Sequence, residues 1–261
     1  MFRPRVIPVL LLKGKGLVKT KKYAHPQYIG DPINAVKIFN DLEADELVFL
    51  DIDAANEGRT ISIDLVRQIG DEAFMPFGVG GGIKDVKTAA ELIGAGAEKI
   101  ILNTAFIENP NLVTDVAMRL GNQSVVVSID VNKTIFGSYY VFTKNGQKKT
   151  NINPIEAAQK AVALGAGELI LNFVPNDGMM TGYNLQLIKD ISSSVSIPVV
   201  ASCGAGTLNH MKDAVLAGAH AVATGSMFVY HGARRGILIN YPNRAELINA
   251  FSNIFENIDY E

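Results

Sequence analysis

Eight short apolar runs, each followed by a stretch of helical period, constrain this chain more than any other feature. The runs lie near 5–12, 46–53, 76–82, 98–104, 125–131, 168–173, 198–204 and 221–226. They are almost continuous in Val, Ile and Leu, as expected of parallel strands packed on both faces. Between and after them run amphipathic segments at 32–43, 61–73, 85–97, 111–121, 153–166, 185–195, 207–219 and 244–255. Eight strand–helix units over 261 residues are the count of an α/β fold of the (β/α)8 barrel type. A doubly wound open sheet is the alternative, and it accounts less well for a second regularity.

That regularity is an internal repeat. A shift of 122 positions carries Glu46-Leu47 onto Glu168-Leu169, Pro76 onto Pro198 and Gly82 onto Gly204. It also carries Ala95-Gly96-Ala97 onto Ala217-Gly218-Ala219, and Phe106 onto Phe228. One domain of two half-barrels, about 1–122 and 123–261, follows as the expectation. The repeat also exposes an inequality. A shift near 119 lays the strand ending at Asp130 on the one ending at Leu11, so a carboxylate stands at only one of two matching places.

The totals exclude several classes. A net charge of −2 gives no general reason to expect nucleic acid or an anionic membrane surface. No apolar run reaches the length of a membrane span, and Met1-Phe2-Arg3-Pro4-Arg5 leads into too short an apolar stretch for a signal peptide. The single cysteine, Cys203, rules out an intrachain disulfide and fits a reducing, cytoplasmic setting. No residue pattern calls for a metal or another cofactor, and no GxxxxGK[ST] loop is present for ATP.

In such barrels the chemistry sits at the C-terminal ends of the strands. Gly80-Gly81-Gly82 ends the third run and opens a helix, where backbone N–H groups can meet a phosphate. Asn103 and Thr104 end the fourth, and Gly204 and Ser226 occupy the matching places of the second half. Each glycine cluster alone is commonly just a tight turn, but two in symmetric positions suggest a ligand anionic at both ends. Asp130 reads as a general acid/base, or more plainly as a helix cap or ion-pair partner. Lys13, Lys15, Lys19, Lys21 and Lys22 crowd the segment after the first run, as a solvated loop or as a lid that closes on an anion. Arg5, Glu46, Lys99 and Glu168 stand at or near the starts of the first, second, fourth and sixth runs, where two cations and two carboxylates can neutralise one another inside the barrel bottom.

With these positions in place, the chain resembles the cyclase subunit of imidazole glycerol phosphate synthase. The match runs through Leu50-Asp51-Ile52, Gly78-Val79-Gly80-Gly81-Gly82-Ile83, Asn103-Thr104, Ile129-Asp130, Asp177-Gly178 and Gly204-Ala205-Gly206. The resemblance implies a barrel that takes ammonia from a glutaminase docked on its N-terminal face. Arg5, Glu46, Lys99 and Glu168 map onto the family's ammonia gate, and Glu98 onto an acidic residue facing the glutaminase. Gly82, Asn103, Thr104, Asp177, Gly178, Gly204 and Ser226 would hold the anionic groups of a phosphorylated small molecule or nucleotide-sugar, with Lys19 closing over it.

Three departures accompany these matches. Of the family's two catalytic Asp positions, one is Asp130 and the other is Leu11, whose isobutyl group transfers no proton. Loss of such a group typically removes about 10² to 10⁴ in rate. Cys203 replaces a family glycine, and residues 230–236 form a longer, more basic segment. A complete gate with half the acid/base pair looks like the paralogues found with surface-polysaccharide genes, which supply nitrogen for amidination of a sugar. The alternatives are the histidine-pathway cyclase itself, with Asp51 or Asp53 in place of the absent acid, and a non-catalytic barrel that activates a glutaminase.

Overall fold

The apolar runs do become strands, and they close on themselves. The computed structural model describes residues 3–134, 137–232 and 234–254. Met1, Phe2, Ala233 and the last position of the expected 244–255 helix lie outside the described residues.

The barrel strands are β1 (Arg5–Lys13), β2 (Leu47–Asp51), β3 (Phe77–Gly80), β4 (Lys99–Leu102), β5 (Val125–Lys133), β6 (Glu168–Phe173), β7 (Val199–Ser202) and β8 (Ala221–Thr224). Each pairs in parallel with its sequence neighbour, and β8 returns to β1 with Arg5 opposite Ala221 and Pro8 opposite Thr224. The open doubly wound sheet is thereby excluded. Several strands stop two residues before their apolar runs do, because the glycines and polar residues at the mouth turn away from the ladder.

The helices around this ring are α1 (Pro32–Asp41), α2 (Ile63–Glu72), α3 (Val86–Gly94), α4 (Asn111–Leu120), α5 (Pro154–Ala163), α6 (Leu185–Ser192), α7 (Leu208–Leu216) and α8 (Arg244–Phe251). Side-chain caps fix most of their starts. Asp31 accepts from the Asn34 N–H ahead of Pro32, and Asn243 with Glu246 forms a capping box. The repeat extends to the backbone: Asp85 caps α3 at φ −148°, ψ 160°, and its counterpart Thr207 caps α7 at φ −148°, ψ 161°. Among the described residues no helix is long and apolar enough to cross a membrane.

Two hairpins extend barrel strands, one in each half. Gly16–Lys21 and Ala24–Gly30 pair antiparallel as an extension of β1. Tyr139–Thr143 and Lys148–Lys149 extend β5 in the same way. The segment read from sequence as a lysine-rich loop is therefore ordered sheet.

Two apolar regions result. A large outer core lies between the strands and the helices. Inside the ring, Ile7, Val48, Val126 and Ile170 with the small Ala221 and Ala223 form a separate layer. This inner layer divides the barrel's two ends from each other.

Candidate functional site

The C-terminal end of the barrel opens into a cleft of about 1360 Å³, measured with its open mouth included. Asp130, from the end of β5, lies at its floor and is only 5% exposed. Its Oδ1 accepts from the Asn172 amide of β6 at 2.8 Å and from the Tyr23 hydroxyl of the first hairpin at 3.0 Å. Burial pushes this carboxyl up to about 6, against the opposing pull of those two donors and Asn103. A carboxyl held there exchanges protons near neutral pH, which suits a general acid/base.

The matching place in the first half is apolar. Asp130 stands opposite Asn172 in the β5–β6 ladder, and Leu11 stands opposite Leu50 in the β1–β2 ladder. All four line the cleft. One half of the barrel thus presents a carboxylate and a carboxamide where the other presents two isobutyl groups. The two acids on this face that could replace it, Asp51 and Asp53, are engaged elsewhere. Asp51 accepts a two-pronged pair from Arg59 and the N–H groups of Asp53 and Ala54. Asp53 pairs with Lys13 at 2.9 Å. Neither is free to stand in for the missing acid.

Lys19 differs from its sequence reading. It is 3% exposed, its ammonium donates to the Val9 carbonyl, and it points into the cleft instead of riding on a solvated flap. Burial lowers it to about 8, with Asp177 and Cys203 opposing that shift. Lys13, Lys15, Lys21 and Lys22 are exposed, as a solvated loop would have them.

Asp177 ties down the first hairpin. Its Oδ2 accepts from the Thr20 hydroxyl at 2.7 Å and the Tyr23 N–H at 3.1 Å, and its carbonyl accepts from the Lys22 N–H at 3.0 Å. The adjoining Gly178 lets the Thr20 carbonyl approach, since a Cβ on Gly178 would lie 2.2 Å from that oxygen. Both residues also line the cleft.

Gly82, Asn103 and Thr104 line one wall of the cleft, Gly204 and Ser226 another. The two glycines have a packing reason to be glycine. Gly82 sits at φ +64°, and a Cβ there would fall 1.9 Å from the Arg59 carbonyl oxygen; for Gly204, at φ +128°, the obstacle is the Gly182 carbonyl at 2.2 Å. Asn103 donates to the Ser128 carbonyl at 2.9 Å, and the Thr104 hydroxyl accepts the Lys144 N–H of the second hairpin at 3.1 Å. Cys203 takes a left-handed φ of +68°, with its thiol at long range from Asn172 and Asp177. Burial pushes the thiol well above its ordinary range. The basic segment 230–236 belongs to a third small hairpin, Tyr230–His231 with Gly236–Ile237. It leans on the first hairpin through Tyr230 and Gln27 and reaches the Gly178 carbonyl with Arg235 at 3.3 Å.

At the opposite end, Arg5, Glu46, Lys99 and Glu168 form a closed ring. Arg5 pairs with both glutamates, and Lys99 lies 2.8 Å from each. The glutamate side chains are 4% and 8% exposed, so the two carboxylates are balanced by the two cations almost out of water. Glu98 is exposed beside this ring, ahead of β4. The ring and the cleft are brought onto one axis but not into contact, because the inner apolar layer separates them.

The Histidine biosynthesis protein family model matches residues 5–234, which takes in every barrel strand. The chain belongs to that family. A relative from Leptospira interrogans, provisionally named imidazole glycerol phosphate synthase subunit HisF, is 46% identical over 94% of this chain and 98% of its own. One from Vibrio vulnificus, provisionally named subunit hisF3, is 46% identical over 94% of this chain and 95% of its own. The imidazole glycerol phosphate synthase subunit HisF of Oceanobacillus iheyensis is 39% identical over 95% of this chain and 97% of its own. The chain is thus a HisF-like enzyme, and the resemblance read from its strand ends holds at the level of the family.

Sequence reasoning missed one group at the site. Tyr23 touches Asp130, yet it sits among lysines in a segment with no strand signal at its turn. The alternation Leu17-Val18-Lys19-Thr20-Lys21 is the one cue to a strand there.

Proposed function

We propose that this chain is the ammonia-using synthase subunit of a two-protein glutamine amidotransferase, and that it amidinates a sugar or nucleotide-sugar for a surface polysaccharide. A glutaminase would dock on the N-terminal face around Glu98 and release ammonia at the ring of Arg5, Glu46, Lys99 and Glu168. Neutral ammonia can cross the inner apolar layer, whereas ammonium, a charge with no partner there, cannot do so cheaply. At the cleft it would add to an activated amide carbon of the acceptor. Asp130 would take the proton from the attacking nitrogen and return it to the leaving oxygen. Because the chain has no GxxxxGK[ST] loop, activation of the acceptor would fall to a further protein. Gly82, Asn103, Thr104, Gly178, Gly204 and Ser226 would receive the acceptor's anionic groups.

The single observation that carries this reading is the pairing of a complete ring with a half-complete mouth. Asp130 and Asn172 face one side, and Leu11 and Leu50 the other. The provisionally named relatives, hisF3 and hisF2 among them, stand at 46% and 43% identity, nearer to this chain than the HisF subunit of Oceanobacillus iheyensis at 39%. The histidine-pathway cyclase is the second reading, favoured by that last relationship and opposed by the commitment of Asp51 and Asp53 to ion pairs.

A steady-state assay separates them: purified chain, the cyclase family's ribonucleotide substrate, saturating ammonium and no partner. The amidination reading expects no turnover, with some restored by Leu11→Asp. A rate near 1 s⁻¹ or above, ordinary for an enzyme, would sink it. A barrel that serves only to activate a glutaminase would leave the pathway intact in Asp130→Asn and broken by charge reversal at Glu98.

A further inference from the structure

The first hairpin turns in an unexpected way. Lys21 pairs with Ala24, so Lys22 and Tyr23 are the two central residues of the turn, at φ +53° and +60°. His25 follows at φ +52°. A two-residue hairpin turn with both central residues at positive φ favours Asn-Gly, and an aromatic residue there is an outlier. Strain of this kind persists where the surroundings hold it, and it concentrates at working sites. What the surroundings hold is the tyrosine. Its N–H is on Asp177, its hydroxyl lies 3.0 Å from Asp130, and its ring packs on Gly146, at the tip of the second hairpin. A Cβ added to Gly146 would come within 3.1 Å of that ring. One side chain therefore touches both hairpins and the buried carboxylate at once.

We propose that Tyr23 is a positioning residue for Asp130: the first hairpin carries its hydroxyl onto the carboxylate, where with Asn172 it orients the acid/base group. The hydroxyl and the Asn172 amide converge on Oδ1. The phenol stays protonated, since burial and the nearby acids raise it well above its ordinary range, so it acts as a donor and not as a base. Leu11 offers no polar group from the first strand itself. The hairpin that grows out of that strand supplies one instead. The remaining titratable groups around Asp130 are Asp177, Cys203 and Lys19, none of which donates to it.

This inference rests on Asp130 being the working acid/base, but its test needs no acceptor and stands apart from the amidination reading. The carboxyl of Asp130 would be followed by carbon NMR in the full chain, assigned by its loss in Asp130→Asn. A donor to the ionised carboxylate holds its midpoint down, so Tyr23→Phe, which keeps the ring, should raise the midpoint by about one pH unit. Hydrogen exchange gives a second readout. The Lys22 and Tyr23 amides should exchange about tenfold faster in Tyr23→Phe and in Asp130→Ala than in the parent, as expected for losing one such bond. An unchanged midpoint in folded Tyr23→Phe, or exchange at those amides unaffected in both variants, would overturn the proposal.

Discussion

Replacing Asp130 by asparagine should stabilise the protein, and only above a defined pH. Burial holds the folded carboxyl at about 6, against 3.8 when free. Between those values the folded state binds a proton that the unfolded state has released, so stability falls as pH rises through this window. With one pH unit equivalent to about 1.4 kcal/mol, ionised Asp130 costs about 3 kcal/mol at pH 7.5 and almost nothing below about pH 3. Asparagine carries no such charge. Its own contacts with Tyr23, Asn172 and Asn103 differ from those of the acid, but uncharged contact differences do not vary with pH and drop out when two pH values are compared. Urea unfolding of parent and Asp130→Asn at pH 4, 5, 6 and 7.5 gives the quantity directly. The variant should gain about 2.5 kcal/mol relative to the parent between the first and last of these. A difference that is flat across the series would mean that Asp130 ionises as freely in the fold as in water, and the acid/base role argued from its burial would go with it.

Lys99→Met should cost about 3 to 5 kcal/mol in the same unfolding assay, because it leaves Glu46 and Glu168 buried with Arg5 as their one remaining counter-ion; a loss under about 1 kcal/mol would mean that water fills the ring. Cys203 should be a slow thiol: burial raises its pKa and little thiolate is present at pH 7, so alkylation of the native chain should lag that of the urea-unfolded chain by more than about tenfold. Equal rates would show that the thiol ionises as readily in the folded protein as in the unfolded chain.

Much of this was written in the sequence, and the parts that were not have physical reasons. The barrel strands could be read because a parallel strand covered on both faces needs apolar residues at nearly every position, as Val125-Val126-Val127 and Leu169-Ile170-Leu171 have. The ring was readable because Arg5, Lys99 and Glu168 open their strands and Glu46 directly precedes its own. Its closure was not, since the reach of Lys99 to both glutamates depends on how the strands stagger. The two hairpins differ in how legible they are. Tyr139–Thr143 followed by Lys144-Asn145-Gly146 carries a strand and a turn in plain view. The turn at Lys22-Tyr23 lacks any residue suited to positive φ, so its sequence argues against the conformation it adopts. Lys19 could be placed at the mouth but not inside it, because burial of a lysine is decided by what packs over it. The glycines at 82 and 204 suggested anion binding, and the close carbonyls of Arg59 and Gly182 give them a second reason that sequence cannot supply.

The unequal ladders at Leu11–Leu50 and Asp130–Asn172 also give the mouth a direction. A half-barrel duplicated with both acids in place would offer a two-ended ligand nearly the same welcome either way round. Here one flank is wettable and the other is greasy, so turning a ligand end for end exchanges a polar neighbour for a hydrocarbon one. A molecule entering this cleft is read with a head and a tail, and its head is the end that meets Asp130.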